Sequence, residues 1–262
     1  MDKTRILVTG GCGFIGSNFI RYMLSKYPYI IINFDKLTYA GNLENLKDVE
    51  SDSRYTFVRG DIASKADLAS VFEQGIDVII NFAAESHVDR SILDPDTFIR
   101  TNINGTFNLL EEARKREVKR FIQISTDEVY GSLGKEGKFT ESTPLSPNSP
   151  YSASKTAADM LAMAYHKTYG TPVLITRCSN NYGPYQFPEK LIPLIITNAL
   201  EDKELPVYGD GMNVRDWIHV IDHAVAIDAV LHKGVLGNVY NIGGENERTN
   251  IEIVKLILSI LG

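Results

Sequence analysis

A chain of 262 residues with 44% hydrophobic and 23% charged side chains has the composition of an ordinary globular protein, long enough for one large domain or two unequal ones. Its formal net charge of −6 argues against a nucleic-acid surface, which needs a basic face, but a few local cations suffice for a small anionic ligand. Cys12 and Cys178 suggest no disulfide framework, no apolar run reaches membrane-spanning length, and a strand-like run at 5–9 leaves no room for a signal peptide, so a cytoplasmic protein is expected.

The predicted elements alternate. A strand at 6–9 leads to a helix at 17–26, then strands at 30–34 and 56–59, a helix at 65–73, a strand at 78–82, a helix at 96–116, a strand at 121–125, a helix at 152–169 and a strand at 173–177. The strands are continuous apolar runs, as expected where both faces of a sheet are covered. Such alternation predicts an α/β fold, a doubly wound parallel sheet of the Rossmann type. Beyond Ser179 the texture changes. Residues 180–213 are rich in Pro, Gly and Tyr, with one helical segment at 191–200, and read as a substrate-binding insertion. Residues 214–232 read as a return to the main domain, and 250–261 as a last helix. The expected division is 1–178 with 214–240 for the dinucleotide domain, and 179–213 with 241–262 for a smaller substrate domain.

Between the first strand and first helix lies Thr9-Gly10-Gly11-Cys12-Gly13-Phe14-Ile15-Gly16. Glycines there let a pyrophosphate approach the backbone and the helix N-terminus. Asp35 follows about 20 residues on, at the end of the second strand, where the dinucleotide fingerprint places an acid. Its carboxylate can accept hydrogen bonds from ribose hydroxyls and repels a 2′-phosphate, which favours NAD over NADP. Lys36 pulls the other way. At about 4 Å and an effective dielectric near 20, unit charges interact by about 4 kcal/mol, so Asp35 dominates if it faces the ribose.

Tyr151 and Lys155, in the run PYSASK at 150–155, share one face of a predicted helix. A free phenol, with a pKa of about 10, is a poor base. A neighbouring ammonium and a positive nicotinamide ring would lower that value. Alone, the pair is an ordinary surface feature; beside a dinucleotide turn it points to alcohol oxidation. The strand at 121–125 runs into STDEVYG at 125–131, where Asp127 and Glu128 can serve one substrate only if the chain turns at the strand's carboxyl end. Two such carboxyls can divide the work of acid and base.

These residues resemble the extended short-chain dehydrogenase/reductase family, over nearly the whole chain. With DKLTYAGN at 35–42, AAESHVDR at 83–90, SNNYGP at 179–184 and YGDGMNVRD at 208–216, the STDEVYG run resembles, within that family, the dTDP-glucose 4,6-dehydratases. The resemblance implies oxidation at C4 of dTDP-glucose, with Thr126 binding the hydroxyl, Tyr151 taking its proton and NAD the hydride. Glu128 then removes the C5 proton while Asp127 protonates the departing C6 hydroxyl, and hydride returns to C6.

By the same resemblance Gly10, Gly13, Phe14, Ile15, Gly16, Asp35, Lys36, Leu37, Thr38, Asp61, Ile62, Phe82, Ala83, Ala84, Thr101, Tyr151, Lys155 and Asn181 line the NAD site. Ser86, Thr126 and Asn180 contact the sugar or diphosphate, Lys190 and Arg215 neutralise the diphosphate, and Leu191, Pro206, Tyr208 and Asn250 hold the nucleoside. His87 is expected to be structural and Trp217 core, and no metal site is expected. The helices at 96–116 and 152–169 are expected to pair across a two-fold as a four-helix bundle, giving a homodimer. Family members continue past position 262 with a basic segment, so a partly truncated substrate domain is expected. The competing expectations are another sugar-nucleotide dehydratase, a 4-epimerase, or an NAD-binding scaffold without turnover.

Overall fold

The computed structural model describes residues 4–134, 137–207 and 209–262. The chain opens with β1 (Arg5–Thr9), α1 (Phe14–Lys26), β2 (Ile30–Asp35), a 3-10 turn (Leu43–Val49), β3 (Tyr55–Arg59), α2 (Lys65–Phe72) and β4 (Val78–Asn81). There follow α3 (Val88–Leu93), α4 (Pro95–Phe98), a π-helical turn (Ile99–Gly105), α5 (Thr106–Lys115) and β5 (Arg120–Thr126). After a second 3-10 turn (Asp127–Tyr130) come α6 (Pro150–Tyr169), β6 (Val173–Cys178), β7 (Asn180–Tyr182), α7 (Leu191–Leu200) and β8 (Val214–His219). The chain closes with α8 (Val220–Lys233), β9 (Val239–Ile242), β10 (Glu247–Thr249) and α9 (Asn250–Leu261).

Seven strands form one sheet in the order β3-β2-β1-β4-β5-β6-β9, with every neighbouring pair parallel. This is the expected doubly wound architecture. Its continuous apolar strands follow from burial on both faces. Along β1, Ile6 and Val8 pack with Phe19, Ile20 and Met23 of α1 on one side, while Leu7 points to Leu109 and Leu110 of α5 and Ala162 of α6 on the other. Each large side chain buried in these layers contributes about 1.5–3 kcal/mol relative to exposure.

The direction of winding reverses between β1 and β4, and in open parallel sheets ligands sit outside the carboxyl ends of the strands at such a point. Register brings those ends level: Thr9 lies beside Phe34 and Asn81, Asp35 beside Arg59 and Thr126 beside Cys178.

A second sheet, β10-β8-β7, packs with α7 and α9 around Ile195, Trp217, Ile253, Val254 and Ile257. Trp217 is therefore core. The stretch expected to rejoin the main layer is divided between the two sheets. β8 pairs with β7 and β10, α8 packs on α1, and β9 is the seventh strand of the main sheet. The helix expected over 96–116 is likewise interrupted, by the π-helical turn. Among the described residues, no helix is long and apolar enough to cross a membrane.

Candidate active site

A cleft of about 340 Å³ opens at the reversal point, walled by the glycine turn, the ends of β2, β4, β5 and β6, the start of α6 and the segment after β7. Seventeen of the eighteen residues expected around a dinucleotide lie on its wall. The exception is Leu37, whose backbone is left-handed (φ 58°) and whose N–H donates to Asp35 Oδ1 at 2.8 Å.

The turn is built for close approach. Gly10 has φ +67°, and a Cβ there would sit 2.7 Å from the Ala83 nitrogen; one at Gly16 would sit 2.5 Å from the Gly10 carbonyl oxygen. α1 starts at Gly13 without a side-chain cap and carries no acid in its first turn, so its amide donors and positive dipole end suit an anionic diphosphate. Cys12 contributes its N–H to Asp35 Oδ2 at 2.9 Å, while burial pushes its thiol up to about 12.

Burial also raises the Asp35 pKa, against the two N–H donors it accepts from Leu37 and Cys12. Those bonds hold the carboxylate at the end of β2, with lone pairs left for a ribose diol. Lys36 is paired with Asp61 at 2.9 Å, and Arg100 reaches the same oxygen at 3.3 Å. Burial pushes the Asp61 carboxyl up, yet Lys36, the Ala63 N–H and Arg100 leave it below its usual range. The cation that would favour a 2′-phosphate is thus already engaged.

At the other end of the cleft α6 presents Tyr151 and Lys155. Its start is fixed by a capping box, Ser149 with Ser152, and by Pro150 in the first turn; Gly170, left-handed at φ 70°, ends it. Both functional side chains are buried. Lys155 Nζ donates to the Ile124 carbonyl at 2.7 Å, and burial lowers its pKa while Asp159 opposes this. Asp159 itself pairs with Arg177 at 3.0 Å, both side chains being almost wholly buried. Tyr151 departs from expectation. Burial first, and then the charge of Glu128, raise its pKa well above 10, with the Thr126 hydroxyl acting the other way. Within the protein, desolvation therefore dominates at Tyr151.

The expected turn after β5 is present. Thr126 caps it, its Oγ1 accepting the Glu128 N–H at 3.2 Å and donating to Asp127 Oδ1 at 3.3 Å. Both carboxyls thereby reach the cleft wall. Burial, then the neighbouring Glu128, push Asp127 up to about 6. Glu128 is also raised by burial, but Arg215 and Lys190 pull it down. Both carboxyls are thus raised by burial, Asp127 further by its neighbour Glu128, while at Glu128 the leading opposing groups are the cations Arg215 and Lys190.

Ser86, Asn180 and Lys190 lie on the same wall, and burial lowers the Lys190 pKa against Glu189 and Glu128. Leu191, Pro206, Arg215 and Asn250 do not line the cleft. Leu191 packs on the core beneath the second sheet, Pro206 and Arg215 are exposed, and Asn250 begins α9 with its N–H on the Asn213 carbonyl. Tyr208 lies outside the described residues. His87 faces Glu189 at 3.6 Å.

Sequence reasoning missed several wall residues, among them Tyr39, Glu85, Gln186, Phe187 and Glu189. Arg90 stacks over the Tyr39 ring at 3.7 Å and pairs with Glu189 at 2.9 Å, and Phe187 meets Tyr39 edge-on at 5.6 Å. These contacts tie the segment after β7 across the cleft. The only sequence signal was position, since each of these residues lies within or beside a motif already singled out.

Residues 7–260 match the family model described as GDP-mannose 4,6 dehydratase. A Neisseria gonorrhoeae protein named dTDP-glucose 4,6-dehydratase is 56% identical over 270 residues, covering 99% of this chain and 78% of that protein. Its Escherichia coli counterpart is 53% identical over 276 residues, covering 98% and 76%. The crystal structure of dTDP-glucose 4,6-dehydratase from Streptomyces venezuelae, with NAD and TDP bound, superposes with a TM-score of 0.96 at 53% identity, covering 99% of this chain and 81% of that one. A UDP-glucuronic acid 4-epimerase from Bacillus cereus, in complex with UDP-glucuronic acid and NAD, is similar at a TM-score of 0.93 but 33% identity, covering 99% and 83%.

Proposed function

Because the chain belongs to the GDP-mannose 4,6 dehydratase family and, within it, to the dTDP-glucose 4,6-dehydratases, we propose that it converts dTDP-glucose to dTDP-4-keto-6-deoxyglucose. The observation that carries this reading is the Asp127–Glu128 turn, which brings two carboxyls in different electrostatic environments into one cleft with Tyr151. A 4-epimerase moves hydride at one carbon and needs no such pair. The dehydratase must also break C5–H and C6–O.

The glycine turn, the uncapped start of α1 and Asp35 would hold NAD, with Asp35 on the adenosine ribose. NAD bound there supplies the hydride acceptor for C4 and the hydride donor for C6. Thr126 binds the C4 hydroxyl and Tyr151 removes its proton. Lys155 and the positive charge brought by the oxidised cofactor favour the phenolate against the burial that opposes it. Once C4 is a ketone, its acidified C5 proton passes to Glu128, and Asp127 gives its proton to the departing C6 hydroxyl, releasing water. Ser86, Asn180 and Lys190 hold the sugar and diphosphate, with Arg215 assigned to the diphosphate and Leu191, Pro206, Tyr208 and Asn250 to the nucleoside.

The assay is incubation with dTDP-glucose followed by the absorbance of the alkali-treated 4-ketosugar. The expected result is a rising signal; no signal while UDP-glucose is turned over would reject the reading.

We assign the working form to a homodimer. Ile92, Leu93, Ile99 and Met160 are 64%, 84%, 47% and 48% exposed on the outer side of the helical layer built by α3, the π-helical turn and α6. Pairing this layer with a second copy across a two-fold would cover them. Two unpaired thiols fit a cytoplasmic location.

A further inference from the structure

His223 lies in the first turns of α8 and is fully buried, yet it faces polar structure rather than the apolar core alone. Its Nδ1 is 2.8 Å from Asn181 Oδ1, while Asn181 Nδ2 donates to the Ser179 carbonyl at 3.0 Å. A carbonyl accepts only, so the Asn181 amide has one permitted orientation, with nitrogen toward Ser179 and oxygen toward His223. His223 must then carry its proton on Nδ1. Burial lowers the imidazole pKa to about 4, which keeps the ring neutral, and its buried Nε2 has no partner among the described residues.

The Asn181 backbone is held as firmly. Asn181 pairs with Ile218 across the small sheet, and its carbonyl accepts from Gln186 Nε2 at 3.0 Å. Asn181 stands on the cleft wall with Cys178 and Ser179. Cys178 in turn lies beside Thr126 in strand register and shares the wall with Tyr151 and Lys155, which sets this stretch at the redox end of the cleft.

We infer that His223 is a positioning residue for that end. By donating from Nδ1 it fixes the Asn181 amide with its N–H edge on the Ser179 and Cys178 side, where it meets a hydrogen-bond acceptor on the nicotinamide end of the dinucleotide. The inference rests on the NAD reading proposed above. A carboxamide oxygen has the required chemistry, and the reverse amide orientation would present an acceptor to it instead.

The test is NAD affinity by calorimetry, without sugar nucleotide, with melting temperature as the control for folding. His223→Leu is expected to bind NAD roughly tenfold more weakly, the size of one lost neutral hydrogen bond. His223→Gln keeps a donor and is expected to stay within about threefold of wild type, a fraction of that bond. On an Asn181→Ala background, His223→Leu should weaken binding no further, because the two residues act as one unit. Should His223→Leu not fold, Asn181→Asp carries the same test, since it still accepts from His223 but has no N–H edge; at least about tenfold weaker binding is expected. Equal losses for Leu and Gln, full additivity on the Ala background, or unchanged affinity of Asn181→Asp would each overturn the inference. Wild-type protein that took up no NAD would overturn the proposed function as well, whereas tight wild-type binding with indifferent variants would overturn this inference alone.

Discussion

Asp127 and Glu128 are adjacent, chemically similar and set apart by their surroundings. Burial and the Glu128 charge keep the Asp127 proton to about pH 6, while burial also raises Glu128, with Arg215 and Lys190 opposing it. The acid must hold its proton and the base must have lost its own, so kcat/KM is expected to trace a bell. It falls as pH rises past about 6, where Asp127 ionises, and falls again on the acid side as Glu128 takes up its proton. The two apparent values belong to the coupled pair. Glu128→Gln should stop elimination while leaving C4 oxidation intact, seen as NADH absorbance without release of the 4-keto-6-deoxy product; normal turnover would refute the assigned base. Asp127→Asn should slow elimination by roughly 10²–10⁴-fold. Asp127 also carries a stability cost. Its folded pKa of about 6 exceeds the ordinary 3.8, so the folded state binds the proton more tightly, and stability falls as pH rises between those values and is flat above them. Asp127→Asn should therefore raise Tm at pH 8, by roughly 2–6 °C, and leave it unchanged near pH 3.

At the scale of the elements, the cleft depends on a few close fits. A Cβ at Gly16 would press on the Gly10 carbonyl and, at 2.8 Å, on the Gly11 Cα; neither is a side chain that can swing away. Gly16→Ala is expected to cost about 1–3 kcal/mol in denaturant unfolding and to weaken NAD binding. Beneath Lys155, Asp159→Asn leaves the Arg177 guanidinium uncompensated in the core. The expected loss is about 3–5 kcal/mol, with the Lys155 pKa lowered further because the carboxylate that supports its charge is gone. The turn and six of the seven strands of the main sheet were legible because their signals are local: apolar runs, glycine chemistry and helical spacing. β7 and β10, with three residues each, carry too little pattern, and they exist because β8 pairs with both. The π-helical turn was hidden for another reason. Asn102 inside it clamps Glu85, accepting the Glu85 N–H at 2.8 Å and donating to its carbonyl at 3.0 Å, and also donates to Ser154 Oγ at 2.8 Å. Tertiary contacts of that kind leave no mark on helical periodicity.

For the whole molecule, the candidate catalytic set was legible in the sequence because each member sits at a strand end or helix start, where the fold converges. The residues assigned to the diphosphate and nucleoside beyond Lys190 were not brought together in the same way, since Arg215 and, for the nucleoside, Leu191, Pro206 and Asn250 come from separate elements around the second sheet. The exposed apolar layer gives a test of assembly: Leu93→Asp, at a position 84% exposed in the single chain, should shift sedimentation from dimer to monomer, and a monomeric wild type would reject the pairing. The central claim is that hydride leaves C4 and returns to C6 of the same sugar, so that the cofactor ends unchanged. The most direct measurement is turnover of dTDP-glucose deuterated at C4, followed by NMR of the product. The account predicts deuterium at C6, a solvent-derived hydrogen at C5 and no net NADH; deuterium lost to solvent, or NADH accumulating with turnover, would contradict it.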